Sequence, residues 1–238
     1  MNLATKTRLV IYIATSNEGK LRDFAAVAAE HRIDIAGIPD FKAIAAARED
    51  APTFEANACK KAEHYSRFLK DQVVLADDSG LKVDALGGAP GVRSARYAAD
   101  AKNARGGHAN SDDDANNERL LREMVDVPDE RRTAQFVCEI AAARNGRLLA
   151  LFHGEVNGTI LHSRQGHGGF GYDPIFYVWH LGKTFAELTA EEKTGISHRG
   201  QAFRKFLKWY DPNICTEVEP KAAESDELPR TGHIWPSD

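Results

Sequence analysis

Short apolar runs separated by longer amphipathic stretches give the first reading of this chain. Residues 9–14 (LVIYIA) are β-branched and aromatic and have the length of a strand. A polar loop over 15–20 follows, and then Leu21, Phe24, Ala25 and Ala28 recur at helical spacing. Residues 33–38 predict a second strand. Thr53 opens a second helix carrying Phe54, Ala58, Ala62, Tyr65 and Leu69 on its apolar side. Residues 73–76 (VVLA) are too few for a helix and predict a buried strand that stops at two carboxylates, Asp77 and Asp78. Ser79 and Gly80 then read as a turn, Leu81 and Val83 as a second short run, and 87–91 (GGAPG) as another turn.

The second half reads differently. Residues 98–111 are small, polar and glycine-bearing, which predicts a loop. Residues 111–114 offer a cap and an acidic first turn to a helix through Leu120, Leu121 and Met124. Residues 132–144 alternate apolar and polar positions, predicting a half-buried strand, and Asn145-Gly146 turns it into a hairpin partner over 148–156. Residues 189–192 fit a capping box. A last helix opens at Ser197-His198-Arg199 and carries Phe203, Phe206, Leu207 and Tyr210 on one face. Beyond Pro212 the apolar periodicity fades. The expectation is one α/β domain over 1–211 and a flexible C-terminal tail over 212–238.

Composition narrows the class. A hydrophobic fraction of 42% and a charged fraction of 28% are those of a soluble globular domain. The net charge of −4 gives no general nucleic-acid footprint, so any bound anion must be held by a local site. Cys59, Cys138 and Cys215 lie far apart without a CxxC pair, which fits a reducing compartment and no structural zinc. The N-terminal apolar run is too short for a signal segment or a membrane span, and a cytoplasmic setting is expected.

Three stretches carry candidate chemistry. The polar loop at 15–20 leads into a helix whose first N–H groups, dipole and Lys20 suit a phosphate, although GxxxxGK[ST] is absent. Asp77 and Asp78 stand where α/β proteins gather chemistry, at the carboxyl end of a strand, but are also ordinary turn residues. The glycine-rich stretch 163–174 holds His167, Phe170, Tyr172 and Asp173 and reads as either a flexible loop or an aromatic ligand platform. Lys60 and Lys61, by contrast, read as solvated helix lysines.

The segments ATSNEGK, TF..NA..KA, ADDSGL..DALGGAPG..SARY, GGFGYDPIF and ELT.EEK..ISHRG.A occur in that order across most of residues 8–210. Together they resemble the inosine triphosphate pyrophosphatase family, which hydrolyses non-standard purine nucleoside triphosphates. The resemblance implies an elongated two-lobed α/β fold around a long central mixed β-sheet with flanking helices, and a homodimer. It also implies Mg2+-dependent cleavage of ITP, dITP and XTP to the monophosphate and pyrophosphate.

By position, it makes Asp78 the catalytic carboxylate and a magnesium ligand, with Ser79 against the nucleotide. Thr15, Ser16, Asn17, Glu18, Gly19 and Lys20 would cradle phosphates, and Lys61 and Lys193 would add positive charge. Phe170, Gly171, Tyr172, Asp173, His198 and Arg199 would hold the base. Arg199 donates only and His198 can donate, so both suit a 6-keto oxygen rather than adenine's amino group, and Phe170 offers a stacking face.

One departure stands out. The family usually reads Phe-x-Glu-Asn-Ala, whereas this chain reads Phe54-Glu55-Ala56-Asn57-Ala58, and one step on a helix is about 100° around its axis. Glu49 is therefore the preferred second metal ligand, with Glu55 and Asp77 as alternatives. Two other functions stay open: a pyrophosphatase for other modified nucleotides, and a nucleotide-binding protein without turnover.

Overall fold

The strand-forming runs join into one seven-stranded mixed sheet in the order β2-β1-β3-β4-β5-β6-β7. The strands are β1 (Val10–Ile13), β2 (Asp34–Gly37), β3 (Val74–Val83), β4 (Thr133–Arg144), β5 (Arg147–Ile160), β6 (Phe176–Val178) and β7 (Lys183–Thr184). The helices are α1 (Glu18–Glu30), α2 (Phe54–Tyr65), α3 (Tyr97–Lys102), α4 (Asp113–Glu123), α5 (Ala190–Ile196) and α6 (His198–Tyr210). This computed structural model describes residues 10–31, 33–102 and 112–210. The expected tail and residues 103–111 lie outside them.

Local signals start the helices. The Asn17 side chain accepts from the Lys20 N–H and begins α1. Thr53 accepts from Ala56 and begins α2. Thr189 and Glu192 complete the capping box of α5. Each removes an orphan N–H from a helix start. The Asn145-Gly146 turn, with both residues at positive φ, closes the β4–β5 hairpin.

Three expectations are corrected. Asp77 and Asp78 do not end a strand: β3 runs on through them to Val83 because β4 offers a continuous antiparallel ladder, Val74↔Ala143 to Val83↔Ala134. A ladder with β4 along the whole of this edge outweighs the turn preference of Asp-Asp-Ser-Gly. The expected loop at 98–111 begins as helix, since α3 extends to Lys102. The expected half-buried β4 is buried on both faces from Val137 to Ala143, apart from the partly exposed Glu139, because helices cover both sides there.

Strand periodicity sorts these layers. Ile11, Ile13, Leu75, Cys138 and Ile140 pack with Phe24 and Val27 of α1 and Phe203 and Phe206 of α6. On the opposite face Val74, Ala76, Ala141 and Ala143 pack with Ala58, Ala62 and Tyr65 of α2. A separate apolar cluster, with Leu81, Phe136, Ile160, Phe176 and Phe185, fills the other end of the sheet. Between the two ends β1 stops pairing at Ile13↔Leu75 while β3 continues, so its edge is left without a strand partner among the described residues. That gap becomes the cleft.

Candidate active site

Adjacent side chains leave a strand on opposite faces, which separates Asp77 from Asp78. Asp77 follows Leu75 toward α1 and α6. Its Oδ2 accepts from Lys20 Nζ at 2.9 Å, Ser79 Oγ at 3.0 Å and Arg199 Nε at 3.5 Å, while its Oδ1 has no partner. Burial opposes its charge, but Lys20 and Arg199 outweigh burial and hold the carboxyl well below the usual range. Asp77 is thus a buried counter-ion to two cations and does not line the cleft.

Asp78 follows Ala76 toward α2, where residues one helical turn apart hold its two oxygens. Asn57 donates to Oδ2 at 3.0 Å and Lys61 to Oδ1 at 3.1 Å. Burial pushes this carboxyl up, and Lys61 and Lys20 offset only part of that. Lys61 is far from the solvated lysine expected on a helix, since burial works against its charge and Asp78 and Glu49 more than compensate.

Glu49 arrives on an extended strap over 45–51 tied along α2. His64 Nε2 lies 2.7 Å from the Ala45 carbonyl, and the Ala47 N–H donates to the Tyr65 hydroxyl at 3.2 Å. Lys61 donates to Glu49 at 3.1 Å and Lys60 to Asp50 at 2.6 Å. The Ala51 N–H donates to Asn57 Oδ1 at 2.9 Å. Glu49 and Asp78 therefore converge on one ammonium group, a point built for positive charge and bordered by hard oxygens. Among the described residues no three His, Cys, Asp or Glu side chains are grouped to hold a metal. The pair fits a magnesium ion that draws its other ligands from water and phosphate. Glu55, the helix-face alternative, opens instead on a separate cavity with Glu139 and His153.

The glycine-rich stretch supplies a further part of the cleft lining. Lys193 donates to Asp173 Oδ2 at 2.6 Å, and the same oxygen accepts from the Phe170 N–H at 2.9 Å. The Gly171 N–H donates to Asp113 at 2.7 Å, fastening the loop to the start of α4. The Tyr172 hydroxyl donates to the Ser94 carbonyl, turning that ring inward. Lys193 Nζ lies 4.8 Å and Arg199 Cζ 5.6 Å from the Phe170 ring centroid. Gly19 makes this meeting possible, because a Cβ there would fall 2.8 Å from Phe170 Cδ1.

His198 and Arg199 enter at the buried start of α6, which approaches β5 closely over Gly154. The His198 ring stacks on Phe136 at 4.9 Å and 7°. Burial, then Arg199 and Lys193, depress its pKa well below the usual range, so it is a neutral imidazole at neutral pH. The Arg199 guanidinium donates to Asp77, Asp23 and Ser79.

A cleft of about 740 Å³ gathers Asn17, Lys20, Glu49, Lys61, Asp78, Ser79, Phe170, Gly171, Tyr172, Asp173, Lys193, His198 and Arg199. Thr15, Ser16, Glu18 and Gly19 do not line it: Thr15 Oγ1 accepts from the Asn17 N–H and Glu18 faces solvent beside Arg22. Sequence reasoning passed over Asp23, Asn57 and Asp113. Asn57 alone carried a signal, as a polar residue inside the apolar spacing of α2. Asp23 and Asp113 looked like ordinary helix-surface acids.

The profile of the Ham1 family matches residues 11–209. The chain is 49% identical over 196 residues to the dITP/XTP pyrophosphatase of Geobacillus kaustophilus, covering 82% of this chain and 91% of that relative. It is 48% identical over 199 residues to that of Acidobacterium capsulatum, covering 84% and 97%. The solved structure of the Staphylococcus aureus Ham1 protein matches with a TM-score of 0.71 at 39% identity, covering 86% of this chain and 99% of that one. A buried carboxylate against α2, a cation-bordered aromatic across the cleft and this similarity along nearly the whole described chain agree: the protein belongs to the Ham1 family.

Proposed function

We propose that the protein is a nucleoside triphosphate pyrophosphohydrolase that converts ITP, dITP and XTP to their monophosphates and pyrophosphate, with Mg2+. The observation that carries this reading is the cleft itself. It gathers Asp78, Lys20, Lys61, Phe170, His198 and Arg199 into one space. Water adds to the α-phosphorus, the bond to the β-bridging oxygen breaks, and pyrophosphate leaves. Asp78, held between Asn57 and Lys61, receives the proton of the attacking water. Lys20 and Lys61 balance phosphate charge.

Every cleft lysine named here already has a carboxylate partner, so a bare triphosphate would compete with those acids. Asp78 and Glu49, with phosphate oxygens, would hold a magnesium ion, which would supply the missing positive charge and lower the pKa of a bound water. Glu49→Gln is expected to raise the Mg2+ concentration for half-maximal rate about tenfold or more, while Glu55→Gln changes it little. Magnesium titrations of both variants check this, and the reverse ranking would return the role to α2. The same reading includes a cytoplasmic homodimer, which sedimentation would test. Among the described residues no helix is long and apolar enough to cross a membrane.

Base selection rests on donors. Three Arg199 N–H groups go to protein acceptors, and its remaining N–H groups, with the neutral His198, suit a 6-keto oxygen. Pyrophosphate release from ITP and XTP should exceed that from ATP by about 10³ to 10⁴ in kcat/KM, because adenine presents an amino group to donors. Comparing ITP, XTP and ATP tests the function directly. Rapid ATP hydrolysis would refute the donor argument, and no hydrolysis of any would favour a binding protein.

A further inference from the structure

Asn57 is 1% exposed, and its amide is engaged on every side. Oδ1 accepts from the Ala51 N–H at 2.9 Å, and Nδ2 donates to Asp78 Oδ2 at 3.0 Å and to the Ala51 carbonyl at 3.4 Å. One side chain thus links the strap that carries Glu49 to the strand that carries Asp78. Only a primary amide suits this place. An acid would set a third acceptor against the Ala51 carbonyl and the Asp78 carboxylate, and a hydroxyl is too short to serve three partners.

Lys61 joins the same two segments, through Glu49 and Asp78, but its charge is also what a phosphate would attract. When that ammonium turns to the substrate, its hold on both carboxylates weakens. Asn57 is neutral and has no such competitor. Thr53 caps α2 by accepting from the Ala56 N–H, and Asn57 reaches Asp78 without any ligand bound.

We propose that Asn57 is the positioning residue of this site: it holds the Asp78 carboxylate and the Glu49 strap in register while Lys61 serves the phosphates. The proposal rests on the reading of Asp78 as the group that accepts the proton of the attacking water.

The test is Asn57→Asp, nearly isosteric, with Asn57→Ala as a second variant and Lys60→Gln as a control that removes only the exposed Lys60–Asp50 tie. For Asn57→Asp, kcat with ITP should fall about 10²-fold, as for a misplaced reacting group, with KM within about threefold. In Asn57→Ala, which deletes the acceptor of the Ala51 N–H, that amide should exchange with deuterium at least about tenfold faster in the nucleotide-free protein. Asn57→Ala should also lower kcat, by less than Asn57→Asp, and Lys60→Gln should leave kcat near wild type. Wild-type kcat in both Asn57 variants, a loss confined to KM, or unchanged Ala51 exchange would overturn the proposal. If Asn57→Asp does not fold, Asn57→Ala alone decides. If wild type releases no pyrophosphate from ITP, the functional reading fails, and Ala51 exchange still decides whether Asn57 ties the strap.

Discussion

Asp78→Asn should lower turnover of ITP by about a thousandfold or more, since on the proposed reading it removes both a proton acceptor and a metal oxygen. The fold should not suffer. The carboxyl's folded pKa is raised above its unfolded value, first by burial. Above that folded pKa the ionised group therefore works against folding, and a neutral amide removes the conflict. Asn57 can still donate to an amide oxygen at position 78, and Lys61 keeps Glu49. The melting temperature at pH 7 should change by only a few degrees, because relief from burying the carboxylate is offset by the loss of one counter-charge of the buried Lys61. Pyrophosphate release and a thermal melt on the same preparation check both halves. Activity within tenfold of wild type would remove Asp78 from the mechanism.

The neighbouring substitution should behave in the opposite way. Asp77→Asn leaves Lys20 and Arg199 without their shared buried negative charge, and breaking such a pair costs about 3–5 kcal/mol. Arg199 retains Asp23, which places the expectation near the lower end. For a domain of this size that corresponds to a fall in melting temperature of about 10 °C. The pH dependence has a definite sign. The Asp77 pKa is depressed in the folded state, by Lys20 and Arg199 against the opposing effect of burial. Its stabilisation is therefore full above the unfolded value of 3.8 and is lost as pH falls below it toward the folded value. Wild type and variant should differ most near pH 7 and converge in strong acid. An equal melting temperature at pH 7 would show that the cations do not depend on Asp77. Activity should also fall, because Asp77 helps to aim Arg199 into the cleft.

These two carboxylates mark the boundary between what was legible and what was not. The sequence by itself determined the elements with short-range causes. The β-branched runs became strands, Asn17, Thr53 and Thr189 capped the helices, and Asn145-Gly146 closed the hairpin. Each depends on contacts within a few residues. It also brought most of the cleft residues into view, because their motifs are contiguous. Only tertiary structure decided that β3 continues through Asp77 and Asp78, since that depends on a ladder with β4 some sixty residues later. With the strand continuous, its two-residue period sends one acid to Lys20 and Arg199 and the other to Asn57 and Lys61. The strap shows the same limit. Glu49 has no local feature that marks it, and its place beside Asp78 comes from five ties to a helix that follows it in the chain. Periodicity reports which face a side chain takes within its own element. Which groups meet across elements depends on register and packing, and those are fixed only when distant segments bury one another.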